Sequence, residues 1–147
     1  MDATTALAVL GGLLALALGL GATLSRRAQR VARLTGAGQR IDPVDLGAER
    51  LGARATIVQF STEFCARCPS VRRISADLAA RYASVDFVHV DLAHRPGLAS
   101  RFGLLQTPTV LILDGGGVPR SRLSGAVTRD RLTEELDALT GGTDERG

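Results

Sequence analysis

The hydrophobic pattern separates an uncharged N-terminal segment from a longer stretch in which apolar and polar positions alternate. Residues 3–25 contain no charge and consist mostly of Leu, Ala, Gly and Val. About 20 apolar helical residues suffice to cross a bilayer, so residues 1–25 are predicted to form one transmembrane helix. A signal peptide is the alternative. No basic residue precedes the run, however, and the run is longer than the roughly 7–15 apolar residues usual in signal peptides.

Beyond residue 53, the pattern alternates between the two-residue period of strands and the 3.6-residue period of helices. Short β-branched runs bounded by Gly, Pro and Asp indicate strands, and the last of them is expected to pair back as an edge strand. The order β-α-β-α-β-β-α predicts a three-layer α/β domain with a mixed central sheet. The predicted strands cover residues 56–60, 85–91, 109–113 and 120–124, and the predicted helices cover 68–82, 96–102 and a last segment capped by Thr128.

Charge and helix-breaking residues set the expected boundaries of these regions. Seven arginines lie between positions 26 and 54, so residues 26–52 are predicted as a basic juxtamembrane linker that is helical over 26–34. Residues 53–140 form the predicted domain, and residues 141–147 are expected to be a flexible tail. Positive charge flanks only the C-terminal side of the apolar run, which favours a single-pass cell-membrane protein with a cytoplasmic domain. An extracytoplasmic domain is the alternative.

Composition narrows the classes of partner. The 147 residues are 45% hydrophobic but only 3% aromatic, so a packed core is available and must be aliphatic. Much of the basic charge lies in the arginine cluster that follows the apolar run. Such a cluster can bind nucleic acid, but no aromatic side chains are interleaved as a base-stacking surface requires. We therefore expect this segment to face lipid headgroups and not nucleic acid.

The two cysteines, Cys65 and Cys68, lie three positions apart between a predicted strand and a predicted helix. This spacing is typical of a redox dithiol, or of half a metal site that His89 and His94 would complete. At a helix start, free N–H groups and the helix dipole favour a thiolate at Cys65 over an ordinary thiol with a pKa of about 8.5. Arg67 adds positive charge. Cys65 is therefore the expected nucleophile and Cys68 the resolving thiol.

Several segments around the cysteines resemble the thioredoxin family. Residues 60–68, Phe-Ser-Thr-Glu-Phe-Cys-Ala-Arg-Cys, are similar to the family's strand-to-active-site segment, and residues 106–109, Gln-Thr-Pro-Thr, to its loop with a cis-proline. The resemblance implies a thioredoxin-like fold and a thiol–disulfide oxidoreductase. Such an enzyme acts on protein disulfides, takes electrons from a thiol donor, and needs no bound cofactor or metal. The resemblance also implies a substrate groove beside the dithiol, formed by Phe64, Ala66, Arg67, Thr107 and Pro108.

The chain departs from the family at three places. Gln59 stands where many members have a buried Asp, and a Gln side chain cannot titrate. Ser61 and Phe64 stand where Trp is common, and Ala66-Arg67 replaces the familiar Gly-Pro pair, which influences redox potential. The direction of electron flow therefore stays open. Two other functions also stay open: a non-catalytic binding module of the same fold, and an extracytoplasmic thiol reductase for cytochrome c maturation.

Overall fold

A computed structural model describes residues 2–28, 31–33 and 39–141 of the chain. Helix α1 spans Ala3–Ala28 and belongs to one unit, Met1–Arg30, while the other elements belong to a second unit, Val31–Gly147. Residues 7–20 of α1 are exposed. No helix formed by the described residues is long and apolar enough to cross a membrane. The transmembrane helix over residues 1–25 therefore stays a prediction.

Within residues 31–33 and 39–141 the chain forms five strands: β1 (Val31–Arg33), β2 (Ala55–Ser61), β3 (Val85–Asp91), β4 (Thr109–Asp114) and β5 (Pro119–Ser124). They form one mixed sheet in the order β1-β5-β4-β2-β3. Strand β2 is parallel to β3, whereas the pairs β2–β4, β4–β5 and β1–β5 are antiparallel. All seven residues of β2 are buried, which confirms its predicted central position.

The same described ranges contain four helices: α2 (Pro43–Leu46), α3 (Cys68–Arg81), α4 (Pro96–Arg101) and α5 (Arg129–Thr140). One face of the sheet packs against α3 and α5 through Val71, Leu78, Leu132 and Leu136. The opposite face packs against residues of the α2 and α4 regions. The Thr128 hydroxyl caps α5 by accepting a hydrogen bond from the Arg131 N–H. The predicted three-layer α/β fold with a mixed sheet is confirmed.

Two findings correct the predicted start of the domain. Val31–Arg33 forms a strand and not part of the helix expected over residues 26–34, and this strand pairs with β5. The prediction that β5 is an edge strand is therefore wrong, because β1 covers it. Ile41 and Leu46 are 1% and 3% exposed and pack with Phe60. This part of the predicted linker over 26–52 thus belongs to the core of the domain.

At the other end of the chain, Gly141 ends α5 with a positive φ of 82°. Its N–H donates to the carbonyl of Asp137 at 2.9 Å. Glycine is favoured at such a left-handed helix terminus because it has no Cβ. The rest of the predicted tail over 141–147 lies outside the described residues.

Candidate active site

Cys65 and Cys68 form a disulfide in the loop that connects β2 to α3. The S–S distance is 2.10 Å and the two Cα atoms are 5.4 Å apart. Two turn hydrogen bonds shape the loop: the Cys65 N–H donates to the Thr62 carbonyl, and the Cys68 N–H donates to the Cys65 carbonyl, both at 3.2 Å. These turns bring the sulfurs together across the two intervening residues. The predicted pairing of the two cysteines is confirmed.

Helix α3 begins at the second cysteine. Cys68 is its first residue, as in the helix predicted over residues 68–82, and Cys65 lies three residues before it. Pro69 follows in the first turn, where a missing N–H costs no intrahelical hydrogen bond. Both sulfurs therefore lie at the positive end of the helix dipole, which favours negative charge there.

The two sulfurs differ in their access to solvent. Cys68 is 5% exposed, whereas Cys65 is partly exposed. The side chains around Cys65 are open to solvent: Phe64 is 90% exposed, and Ala66 and Arg67 are also exposed. An incoming substrate sulfur can therefore reach Cys65 more readily than Cys68.

The loop that precedes β4 lies at the same end of the sheet as the cysteines. The peptide bond between Thr107 and Pro108 is cis, as the resemblance implies. Thr107 Oγ1 lies 3.3 Å from Thr62 Oγ1, which connects this loop to the cysteine loop. The Pro108 carbonyl accepts a hydrogen bond from the Gly125 N–H at 3.1 Å. The structure thus brings Thr107 and Pro108 together with the dithiol loop.

Gln59 is completely buried in β2 and contacts the backbone of the dithiol site. Its Nε2 atom donates a hydrogen bond to the Cys68 carbonyl at 2.9 Å. Among the described residues, its Oε1 atom has no hydrogen-bond partner. A buried polar atom without a partner costs about 1–3 kcal/mol. The amide therefore holds the first residue of α3 in place at some cost in stability.

Ser61 and His89 form a hydrogen-bonded pair beside Gln59 that the sequence did not predict. Ser61 Oγ and His89 Nε2 are 2.6 Å apart, and the β2–β3 register places His89 next to Gln59. Burial lowers the pKa of His89 below its ordinary value, and the charge on Arg72 lowers it further, while Asp91 raises it. Side chains alternate between the two faces of a strand, so the sequence could have indicated that Gln59, Ser61 and His89 lie on one face of the sheet.

The histidines have partners other than the cysteines. His94 Nδ1 lies 3.4 Å from Asp91 Oδ2, and His89 contacts Ser61. Within residues 2–28, 31–33 and 39–141, no group of three or more His, Cys, Asp or Glu side chains could hold a metal ion.

Comparison with known families decides the identity of this domain. The family model described as thioredoxin matches residues 49–138, which is more than half of the chain and extends from before β2 into α5. The chain belongs to the thioredoxin family. The matched region contains every residue of the dithiol site of this thioredoxin-family domain.

Curated thioredoxins align with the same region. Thioredoxin M-type, chloroplastic, of Zea mays is 32% identical over 88 residues, which are 59% of this chain and 52% of the relative. The protein named putative thioredoxin H10 of Arabidopsis thaliana is 34% identical over 74 residues, which are 50% of this chain and 47% of the relative. The chain spans about half the length of these curated relatives.

Solved thioredoxin structures share the fold. Thioredoxin NaTrxh of Nicotiana alata superposes with a TM-score of 0.53 at 27% identity, over 60% of this chain and 75% of that chain. A mutant thioredoxin of Halobacterium salinarum gives a TM-score of 0.54 at 20% identity, over 59% of this chain and 75% of that chain. The second likeness shows the fold alone.

Proposed function

We propose that this chain is a thiol–disulfide oxidoreductase that reduces or exchanges disulfides in protein substrates. The observation that carries the proposal is the disulfide between a partly exposed Cys65 and a buried Cys68 at the start of α3. Membership of the thioredoxin family supports the same activity. The dithiol itself stores the electrons, so the reaction requires no bound cofactor.

In the reductive direction, the Cys65 thiolate attacks one sulfur of a substrate disulfide. A mixed disulfide forms, and the other substrate sulfur leaves as a thiolate that takes up a proton. The Cys68 thiolate then attacks the Cys65 sulfur, which releases the second substrate sulfur and forms the Cys65–Cys68 disulfide. Two electrons pass to the substrate, and a thiol donor later returns two electrons to the cysteines.

The groove for the substrate chain lies between the two loops at this end of the sheet. We assign the backbone of Thr107 to pair with the substrate segment, since Pro108 has no N–H of its own to offer. Phe64, Ala66 and Arg67 surround Cys65 and are exposed, so they can contact the residues next to the substrate disulfide. The contact between Thr107 and Thr62 in the dithiol loop supports the first assignment, and the exposure of the residues around Cys65 supports the second.

Reduction of insulin by dithiothreitol, followed as turbidity, tests the activity of the full chain. The intact protein should accelerate precipitation, and Cys65→Ser should reduce the rate to that of dithiothreitol alone. Cys68→Ser should instead accumulate a mixed disulfide with the substrate, because the resolving thiol is missing. Equal turbidity rates for the intact protein and Cys65→Ser would reject the enzyme and favour a non-catalytic binding module.

For its location, we propose attachment to the cell membrane through residues 3–25, with the domain on the cytoplasmic side. The support is the uncharged run in the sequence and the arginines that follow it. In that compartment, the reducing thiol pool would keep the dithiol a reductant. On the outer side, reduction of exported proteins, as in cytochrome c maturation, would be the better assignment.

Two measurements on the full chain test this location. The protein should stay with the membrane fraction after a sodium carbonate wash, which removes peripheral proteins. An impermeant thiol reagent should label the reduced Cys65 only after the cells are permeabilised. Labelling in intact cells would place the domain outside, and release by carbonate would remove the anchor.

A further inference from the structure

Three arginines lie exposed at the dithiol end of the domain. Arg67 immediately precedes α3, and Arg72 and Arg73 lie in its first two turns; all three are exposed. In the described part of the chain, none of them forms a salt bridge. Other arginines of the domain do, such as Arg101 with Asp45 and Arg129 with Asp77, both at 2.7 Å. Glu63 lies exposed in the same loop, and Asp91 lies at the end of β3 next to Ser61, so the three arginines oppose two carboxylates at this end of the sheet.

Two large apolar side chains flank the same site. Within residues 39–141, Phe64 and Leu105 are two of the three large hydrophobic residues that are exposed, at 90% and 97%; the third is Val44. Phe64 follows Thr62 by two positions, and Leu105 precedes Thr107 by two positions, while the hydroxyls of the two threonines are 3.3 Å apart. One apolar side chain therefore stands on each side of the junction between the loops.

We infer that the site prefers protein disulfides in acidic segments that carry an apolar residue next to the attacked cysteine. This inference rests on the proposed oxidoreductase function and specifies its substrate class. Unpaired guanidinium groups form strong, charge-assisted hydrogen bonds with carboxylates. A surface of one charge sign also accelerates encounter with partners of the other sign. Phe64 and Leu105 supply the apolar contact, and burying them against a partner removes exposed hydrophobic area from water.

The test compares the reduced full chain on three disulfide peptides of equal length: one with Asp and Glu around the cysteines, one with Lys, and one with Ser. At low salt, kcat/KM should be about tenfold higher for the acidic peptide than for the basic one, and the ratio should approach one at high salt. Replacing Arg72→Ser and Arg73→Ser together should remove most of this ratio while reduction of the Ser peptide continues.

The matched control replaces Arg50→Ser and Arg120→Ser, which removes the same charge at the opposite end of the sheet and should keep the ratio. A ratio near one in the intact protein, or an equal loss in both double variants, would overturn the inference. Failure to reduce any peptide would instead reject the proposed function, and the inference with it. Leu105→Ser should lower kcat/KM for a peptide with Leu next to the cysteine but not for its Gly counterpart.

Discussion

The two ends of the central sheet differ in whether their charged side chains are paired and in how closely their residues pack. At the end opposite the cysteines, Arg50 pairs with Asp86 at 3.3 Å and Arg120 with Asp114 at 2.7 Å. At the dithiol end, Arg67, Arg72 and Arg73 are exposed and form no ion pair with the residues that the structure describes. The two ends differ in packing as well. A Cβ on Gly52, at the far end, would lie 2.1 Å from the Ala55 carbonyl oxygen, whereas Phe64 and Leu105 project into solvent.

The end opposite the cysteines has its charges paired and its backbone closely packed within the chain, whereas the dithiol end does not. Paired charges and closely packed backbone atoms already have their contacts within the chain, so they offer few free groups to a binding partner. Exposed arginines without an ion pair and exposed apolar side chains make favourable contacts only when another molecule binds over them. The buried Gln59 amide also lowers stability at the dithiol end, because its Oε1 atom accepts no hydrogen bond from the part of the chain that the structure describes. Four substitutions test this division.

Gly52→Ala should cause the largest loss of stability. Its Cβ would lie 2.1 Å from the Ala55 carbonyl oxygen and 2.6 Å from the Asp86 nitrogen, and backbone atoms on both sides leave no easy relief. We expect the free energy of unfolding to fall by about 3 kcal/mol in urea denaturation. The matched control is Gly97→Ala in α4, where a Cβ would meet nothing within 4 Å. Similar losses for the two variants would contradict the close packing at the far end.

Gln59→Glu should come next, because it replaces a buried neutral amide with an acid. The carboxylate would lose the donor that Nε2 provides to the Cys68 carbonyl, and burial penalises its charge. We expect a loss of about 2 kcal/mol at pH 8. The loss should shrink toward pH 5, because burial raises the pKa of the acid and the folded state binds the proton more tightly. Gln106→Glu, at an exposed position, should change stability little, and an equal effect there would contradict the prediction.

His89 should make stability decrease as the pH falls below about 7. Its pKa is lowered in the folded protein by burial and by Arg72, against the opposing charge of Asp91. The unfolded chain therefore binds the proton at higher pH, and stability decreases as the pH falls through about 6.5. The decrease should not exceed about 1 kcal/mol, because solvent screens this partly open ring. Urea denaturation of His89→Asn should remove the decrease, while His94→Asn should retain it; a decrease that persists in both would exclude His89 as its source.

Arg50→Ser should have the smallest effect. The Arg50 side chain is 83% exposed in its ion pair with Asp86, and such surface pairs contribute less than about 0.5 kcal/mol. We expect nearly unchanged stability and an unchanged rate of insulin reduction. A slower reduction rate would show that the far end also takes part in function, and the contrast between the two ends would no longer hold.

The sequence predicted the elements whose periodic pattern is strong and local. The strand over residues 85–91 agrees with β3 in both bounds, because its β-branched run ends in recognisable turn residues. Thr128 signals its own role, since its hydroxyl satisfies an N–H three residues later. The short spacing of Cys65 and Cys68 between a predicted strand and a predicted helix indicated a dithiol, whereas the Thr107–Pro108 loop was expected only from the resemblance to the thioredoxin family.

The features that the sequence did not predict depend on partners far along the chain. Strand β1 has only three residues, too few to show a period, and its partner β5 lies about 90 positions later. Ile41 looks like an isolated apolar residue in a polar linker until the sheet face that covers it is known. The contact between Ser61 and His89 likewise depends on the register of β2 and β3, which no motif in the sequence predicts.

Gln59 has a consequence for the electrochemistry of the site. Reduction of the Cys65–Cys68 disulfide takes up two electrons and, below the pKa values of both thiols, two protons. The midpoint potential should then fall by about 59 mV for each pH unit, because a tenfold change in a two-electron equilibrium corresponds to about 30 mV and two protons are involved. A buried carboxyl beneath the cysteines would add a break to that line at its own pKa. An amide does not titrate below the pKa values of the thiols, so Gln59 adds no break to the pH dependence of the midpoint potential.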